Sequence, residues 1–202
     1  MEILKFFGDT VNDRHIASAA RVLDQGGIVI YPTDTLYALG CDALDNRAIE
    51  RLCAVKGINP DKQLLSIVCD GISMASDYAR IDNHAFRMLK GSLPGPFTFI
   101  LPASTRLPKV FKGRRSVGIR IPSNGVATAL AAALGRPVLT TSVAIDNDAE
   151  AVEPESIAMH YAGKADLLLD AGAGGTVPST VVDLTDSSAP AVVRKGAGEL
   201  IF

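Results

Sequence analysis

Cysteine is scarce: the 202 residues contain three, Cys41, Cys53 and Cys69, and no two stand in C-x-x-C spacing. An odd count without paired spacing argues against a disulfide framework or a zinc site and implies reduced thiols in a cytoplasmic protein. Long apolar runs are missing too. Nothing approaches the roughly 18 uncharged residues of a membrane span, and the opening MEILKFFGDT lacks the apolar stretch of a signal peptide. Neither sign of charge dominates: 20 Lys+Arg against 22 Asp+Glu leave a net charge of −2. That disfavours a uniformly basic nucleic-acid binder, though not a local patch. Familiar phosphate loops are absent. There is no G-x-x-x-x-G-K-[ST], and the glycines after Asp170 run into Thr-Val-Pro rather than into the helix a dinucleotide fingerprint requires. No G-x-S-x-G elbow supports a hydrolase, and His15, His84 and His160 lack metal-ligand spacing.

What is present is ordinary for a folded chain: 48% hydrophobic and 21% charged residues. A chain of this length can bury roughly 70% of its unfolded surface without a disulfide or metal staple. Helical spacing of Ile16, Ala19, Ala20 and Leu23 predicts a helix over residues 13–27, stopped by Gly26-Gly27. Asn46 is the expected cap of a second helix ending near Lys56-Gly57. Asp82 or Asn83 opens a third to about Lys90, and Ser123 or Asn124 a fourth over 125–135; residues 153–162 form a fifth. Apolar runs at 27–31, 64–69, 97–101, 116–121, 137–143, 166–170, 179–184 and 191–194 read as strands, with a polar loop expected at 146–150. Helices alternating with strands predict an α/β fold, and the closely spaced C-terminal strands add antiparallel pairing. The expectation is a single-domain twisted mixed sheet with flanking helices over residues 1–202, with no linker, repeat or low-complexity segment.

Some strand faces carry more than packing. Residues 116–121 put Val117, Ile119 and Ile121 on one side and Ser116, Gly118 and Arg120 on the other. An arginine on a covered strand needs a carboxylate or phosphate partner. Thr140 and Ser142 share a face of their strand, and Ser179-Thr180 opens another. Small hydroxyls near sheet ends suit a polar ligand, although ordinary strand hydroxyls satisfied by backbone look the same. Pro32-Thr33-Asp34-Thr35 follows the first buried strand, where ligands commonly sit in α/β sheets; a plain turn reads alike. Lys56 and Lys62 bracket a loop able to hold a polyphosphate or simply to be solvated. The run Arg106, Lys109, Lys112, Arg114 and Arg115, with Phe111 between, fits either a phosphate backbone or a solvated hairpin.

These residues in this order resemble the YrdC family, most of all its branch typified by YciO. The segments that carry the resemblance are Tyr31-Pro-Thr-Asp-Thr-Leu-Tyr-Ala-Leu-Gly-Cys41, Pro94-Gly-Pro-Phe-Thr-Phe-Ile-Leu101, Val117-Gly-Ile-Arg-Ile-Pro122, Val138-Leu-Thr-Thr-Ser142, Ser179-Thr-Val-Val-Asp-Leu184 and Val193-Arg-Lys-Gly196. The resemblance implies a twisted YrdC-like α/β fold with a concave, positively charged surface. It implies synthesis of L-threonylcarbamoyl-adenylate from L-threonine, bicarbonate and ATP with release of pyrophosphate, an intermediate for N6-threonylcarbamoylation of adenosine in tRNA. Binding of double-stranded RNA is a further family proposal. By position, Thr35, Arg120, Thr140 and Ser179 would hold the threonine, and Arg120 would pair with its carboxylate. Ser116 and Ser142 would contact the nucleotide, while Lys56, Lys62 and Arg194 would face the phosphates. Lys56 and Ser142 would be the catalytic pair. Magnesium would arrive on the nucleotide's own oxygens, with no dedicated metal cage.

This chain departs from the family pattern in three places. A Lys-x-Arg motif reads Lys56-Gly57-Ile58, a Lys-Pro-Leu reads Lys62-Gln63-Leu64, and a Ser-x-Asn reads Ser142-Val143-Ala144. Two polar groups are thus replaced by apolar ones, which predicts slow adenylation. The competing expectation is a module of the YciO type that binds a nucleotide, tRNA or double-stranded RNA without turnover.

Overall fold

A computed structural model describes residues 1–6, 11–60, 62–111, 115–145 and 148–199. Its strands are β1 (Glu2–Lys5), β2 (Val29–Tyr31), β3 (Ala38–Asp42), β4 (Ser66–Val68), β5 (Phe97–Pro102), β6 (Ser116–Arg120), β7 (Val138–Ser142), β8 (Leu167–Asp170), β9 (Thr180–Asp183) and β10 (Ala191–Arg194). The helices are α1 (Asp13–Asp24), α2 (Asn46–Lys56), α3 (Ile72–Tyr78), α4 (Asn83–Ser92), α5 (Gly125–Leu134), α6 (Asp148–Ala151) and α7 (Pro154–His160). The strands form one sheet in the order β1-β8-β2-β3-β7-β4-β6-β5-β9-β10. Pairing is parallel at β1–β8, β2–β8, β4–β6 and β5–β9 and antiparallel elsewhere. The mixed α/β sheet expected from the sequence is therefore the observed architecture.

Each side of the sheet carries its own apolar layer. On one side α2, α4 and α7 contribute Ile49, Leu52, Leu89 and Ile157 against Ile30, Leu39, Ile67, Phe99, Ile119 and Leu139. On the other, Ile16, Ala19 and Leu23 of α1 and Ala127, Leu130 and Ala131 of α5 cover Val29, Tyr31, Val68, Val138 and Leu167. Consecutive residues alternate between layers, as the pleat demands.

Four elements escape the sequence patterns. Strand β3 is fully buried, but its Ala-Leu-Gly-Cys-Asp lacks both alternation and β-branched residues. Helix α3 has one buried residue, Ala75, and no side-chain cap. Strand β1 is four residues long and mostly exposed. Residues 148–151 form a helical turn where a polar loop was expected. Helix α1 ends at Asp24, three residues earlier than expected, because Gly26 turns at φ +80°.

The cap of α2 also needs correction: Asp45, not Asn46, accepts from the backbone N–H groups of Arg47 and Ala48. Asn46 is exposed in the first turn. Asp45→Ala is therefore expected to cost about 1 kcal/mol in urea unfolding, and Asn46→Ala distinctly less. Equal losses would return the cap to Asn46.

Candidate functional site

One face of the sheet changes character along its strands. Val68 and Val138 lie in the apolar layer beneath α1 and α5. One pleat further, Ser66 and Thr140 open instead into a cavity of about 170 Å³. Ser66 pairs with both Gly118 and Thr140, which sets these residues side by side on the cavity floor. A Cβ on Gly118 would stand 2.3 Å from Ser66 Oγ and 3.0 Å from the Thr98 methyl, so a side chain there would fill the floor. The two-residue period also isolates Thr98 from the apolar Phe97 and Phe99, and it too lines the cavity. The sequence reading overlooked Ser66 and Thr98, although each is a lone hydroxyl in an apolar run.

Arg120 is the buried charge of the site, 8% exposed. Its Nη2 donates to Asp34 Oδ1 at 3.1 Å and to Thr35 Oγ1 at 3.0 Å. Burial pushes its pKa down and neighbouring Asp34 opposes that shift, yet a guanidinium stays charged at any physiological pH. Its Nε is buried with no hydrogen-bond partner among the described residues. Asp34 is itself fixed from the far side, Oδ2 accepting from Ser123 N at 2.9 Å and Ser123 Oγ at 3.3 Å. Asp34, in what reads by sequence as a plain turn, is thus the partner that the covered arginine requires.

Hydrogen positions around Thr35 follow from counting. Thr33 Oγ1 donates to Leu36 O at 2.7 Å, so the 3.0 Å contact between the two hydroxyls carries the Thr35 proton. A hydroxyl has one proton and two lone pairs. Thr35 therefore accepts from Arg120 and retains one lone pair. The glycine-rich stretch after Asp170 packs behind this loop. Tyr37 Oη donates to Gly172 O, and a Cβ on Gly175 would stand 2.2 Å from Thr35 O.

On the opposite wall, Thr98 Oγ1 and Ser179 Oγ are 2.8 Å apart, and Arg194 donates through Nε and Nη2 to Ser179 O. Lys56 Nζ donates to Ser142 O, and burial pushes its pKa below the ordinary lysine value. Of the residues singled out by sequence, Thr35, Arg120, Thr140, Ser142, Ser179 and Arg194 line one cavity, and Lys56 meets it through Ser142. Ser116 and Lys62 do not line it. Ser116 sits four residues, about 13 Å, down β6 from Arg120 and faces a small separate cleft with Gln63 and Phe111. Lys62 is exposed beside that cleft. Lys112 and Arg114 of the basic run lie outside the described residues.

Other candidates take structural places. All three cysteines are free and buried, and burial raises their thiol pKa values. The His15 ring packs edge-on against Phe6, and His84 Nδ1 contacts Ser187 O. Among the described residues no three His, Cys, Asp or Glu form a metal-binding group, and no helix is long and apolar enough to cross a membrane.

Comparison with known proteins adds five findings. The Sua5/YciO/YrdC family model, described as "Telomere recombination", matches residues 21–196. The Escherichia coli K12 protein named "Uncharacterized protein YciO" is 38% identical over 195 residues, 95% of this chain and 94% of the relative. The crystal structure of E. coli YciO superposes with a TM-score of 0.90 at 37% identity, covering 98% of both chains. The threonylcarbamoyl-AMP synthase of Halorhodospira halophila is 34% identical over 162 residues, 79% of this chain and 84% of the relative. The Pyrococcus abyssi Sua5 structure complexed with L-threonine matches at 28% identity and a TM-score of 0.83, over 96% of this chain and 57% of that one.

Proposed function

This chain belongs to the Sua5/YciO/YrdC family, and on that footing we propose that it is an L-threonylcarbamoyl-adenylate synthase, slowed by two changed motif positions. One observation carries the reading: a buried guanidinium with an unpaired Nε, ringed by Thr35, Thr140 and Ser179 in a small polar cavity. Such a pocket suits a small amino-acid carboxylate, drawn by the guanidinium charge and by the protons that Asp34 and Thr35 leave uncommitted. A relative's structure complexed with L-threonine supports the same ligand.

In this reading threonine docks on Arg120, with Thr35, Thr140 and Ser179 around it. The threonine amine attacks the bicarbonate carbon, forming a carbamate C–N bond as a C–O bond breaks and water leaves. A carbamate oxygen then attacks the α-phosphorus of ATP, forming the mixed anhydride and breaking the α–β bridge so that pyrophosphate leaves. Lys56, Arg194 and, from the exposed loop, Lys62 offset the charge that gathers on the leaving group. Ser142 contacts the nucleotide, which carries its own magnesium. The protein works by holding reactants in line rather than through a covalent intermediate. The product supplies a threonylcarbamoyl group for tRNA adenosine, and we assign the work to the cytoplasm.

A pyrophosphate-release assay with ATP, magnesium and bicarbonate, with and without L-threonine, tests this. Release that requires threonine and disappears in Lys56→Ala is expected. ATP binding with no threonine-dependent release would instead favour the second reading, a nucleotide or RNA binder without turnover. Ile58 and Ala144, where the family pattern has Arg and Asn, are the observation behind that alternative.

A further inference from the structure

Tyr31 is fully buried, yet its hydroxyl reaches the site. It starts two strands away, since β2, β3 and β7 are consecutive in the sheet. Two strand spacings amount to about 9–10 Å. The ring spans them by crossing β3 over Gly40, where a Cβ would stand 2.7 Å from Tyr31 Cε1. Gly40 pairs with Thr140, so the crossing delivers the phenol to the Thr140 side chain. Tyr31 Oη donates to Thr140 Oγ1 at 2.7 Å.

We propose that Tyr31 is a positioning residue: by donating across Gly40 it fixes the Thr140 hydroxyl as a donor into the cavity, so the site selects a ligand with an oxygen acceptor there. The reverse assignment would leave the buried phenol proton without an acceptor among the described residues. The phenol has one proton, and Thr140 receives it. Thr140 keeps its own proton, makes no further hydrogen bond among the described residues and lines the cavity. Burial raises the phenol to about 12, so the donor role holds through neutral pH. Thr35 has the opposite polarity, with its proton given to Thr33. The cavity therefore presents the Arg120 charge and the Thr140 hydroxyl as a donor, with Thr35 as an acceptor. That pattern fits a ligand carrying both an anionic oxygen and an N–H or O–H group, as an α-amino acid does. Naming threonine as that ligand rests on the proposed function; the polarity of Thr140 does not.

Two measurements on the full chain test it. In ligand-free protein, the Tyr31 hydroxyl proton is expected as a slowly exchanging NMR resonance with a cross-peak to the Thr140 methyl, lost in Tyr31→Phe and exposed to exchange in Thr140→Val. A phenolic proton that exchanges freely, or is untouched by Thr140→Val, overturns the assignment. Calorimetric titration with L-threonine then asks what the bond does. Tyr31→Phe and Thr140→Val should each raise Kd about tenfold, the worth of one buried hydrogen bond. The double variant should match Thr140→Val alone, and Thr140→Ser should bind as wild type. Losses that add in the double variant would make Tyr31 merely a packing residue. Wild-type protein that ignores threonine overturns the proposed substrate, while the hydroxyl resonance still decides the polarity.

Discussion

Arg120→Ala is expected to abolish threonine-dependent pyrophosphate release and to destabilise the protein by about 3–5 kcal/mol, as removing one partner of a buried pair commonly does. The Asp34 side chain is 8% exposed, and its Oδ1 has Arg120 as its charged partner. Ser123 continues to hold Oδ2, which keeps the carboxylate in place but leaves its charge uncompensated. Arg120→Lys separates the two roles. An ammonium can pair with Asp34 and restore most of the stability. It cannot also bond Thr35 in the same plane and keep further N–H donors for a carboxylate. Urea unfolding and threonine calorimetry on both variants measure the two effects. An Arg120→Lys protein that binds threonine like wild type would remove the carboxylate role from Arg120.

The second large effect is a gain. Ile58→Arg with Ala144→Asn should raise the rate of pyrophosphate release about 10- to 100-fold, the scale of restored transition-state donors. The backbone is set for both. Gly57 closes α2 in a left-handed turn, with Gly57 N on Ala54 O and Ile58 N on Cys53 O. This is the paired-bond helix stop in which the following residue packs on the last turn, and Ile58 does pack against the core. Arginine there forfeits some of that contact, so a small stability loss should accompany the gain. Ala144 is exposed, and its N–H donates to Tyr161 Oη at 2.9 Å, which fixes the chain from which an asparagine would project. Steady-state kinetics of the single and double variants decide it. A double variant no faster than wild type would place the rate-limiting chemistry away from these two positions.

Much of this molecule was legible in one dimension. The apolar runs at β2, β5, β6 and β8 and the stripe Ile16, Ala19, Ala20, Leu23 are local patterns, and the residues they bury follow from the pleat and the helical repeat. Arg120 and Thr140 were legible for the same reason, as polar residues out of step with apolar neighbours. The family motifs named Thr35, Ser179 and Arg194 as well. Pairing between distant segments was not legible. That Asp34 serves Arg120, that Ser66 and Thr98 floor the cavity, and that Gly40 lets Tyr31 reach Thr140 depend on which strands are neighbours. Strand order arises from packing both apolar layers at once, and no window of sequence contains that information. The separation of Ser116 from Arg120 has the same origin: the two-residue period gives the face, while α5 and the loop around Thr35 decide which part of that face becomes a site. The sequence by itself determined the chemistry available on each strand. The tertiary structure alone decided which of those groups meet, because hydrogen bonds and ion pairs act over a few ångströms and only the folded sheet brings residues 86 to 109 positions apart within that range.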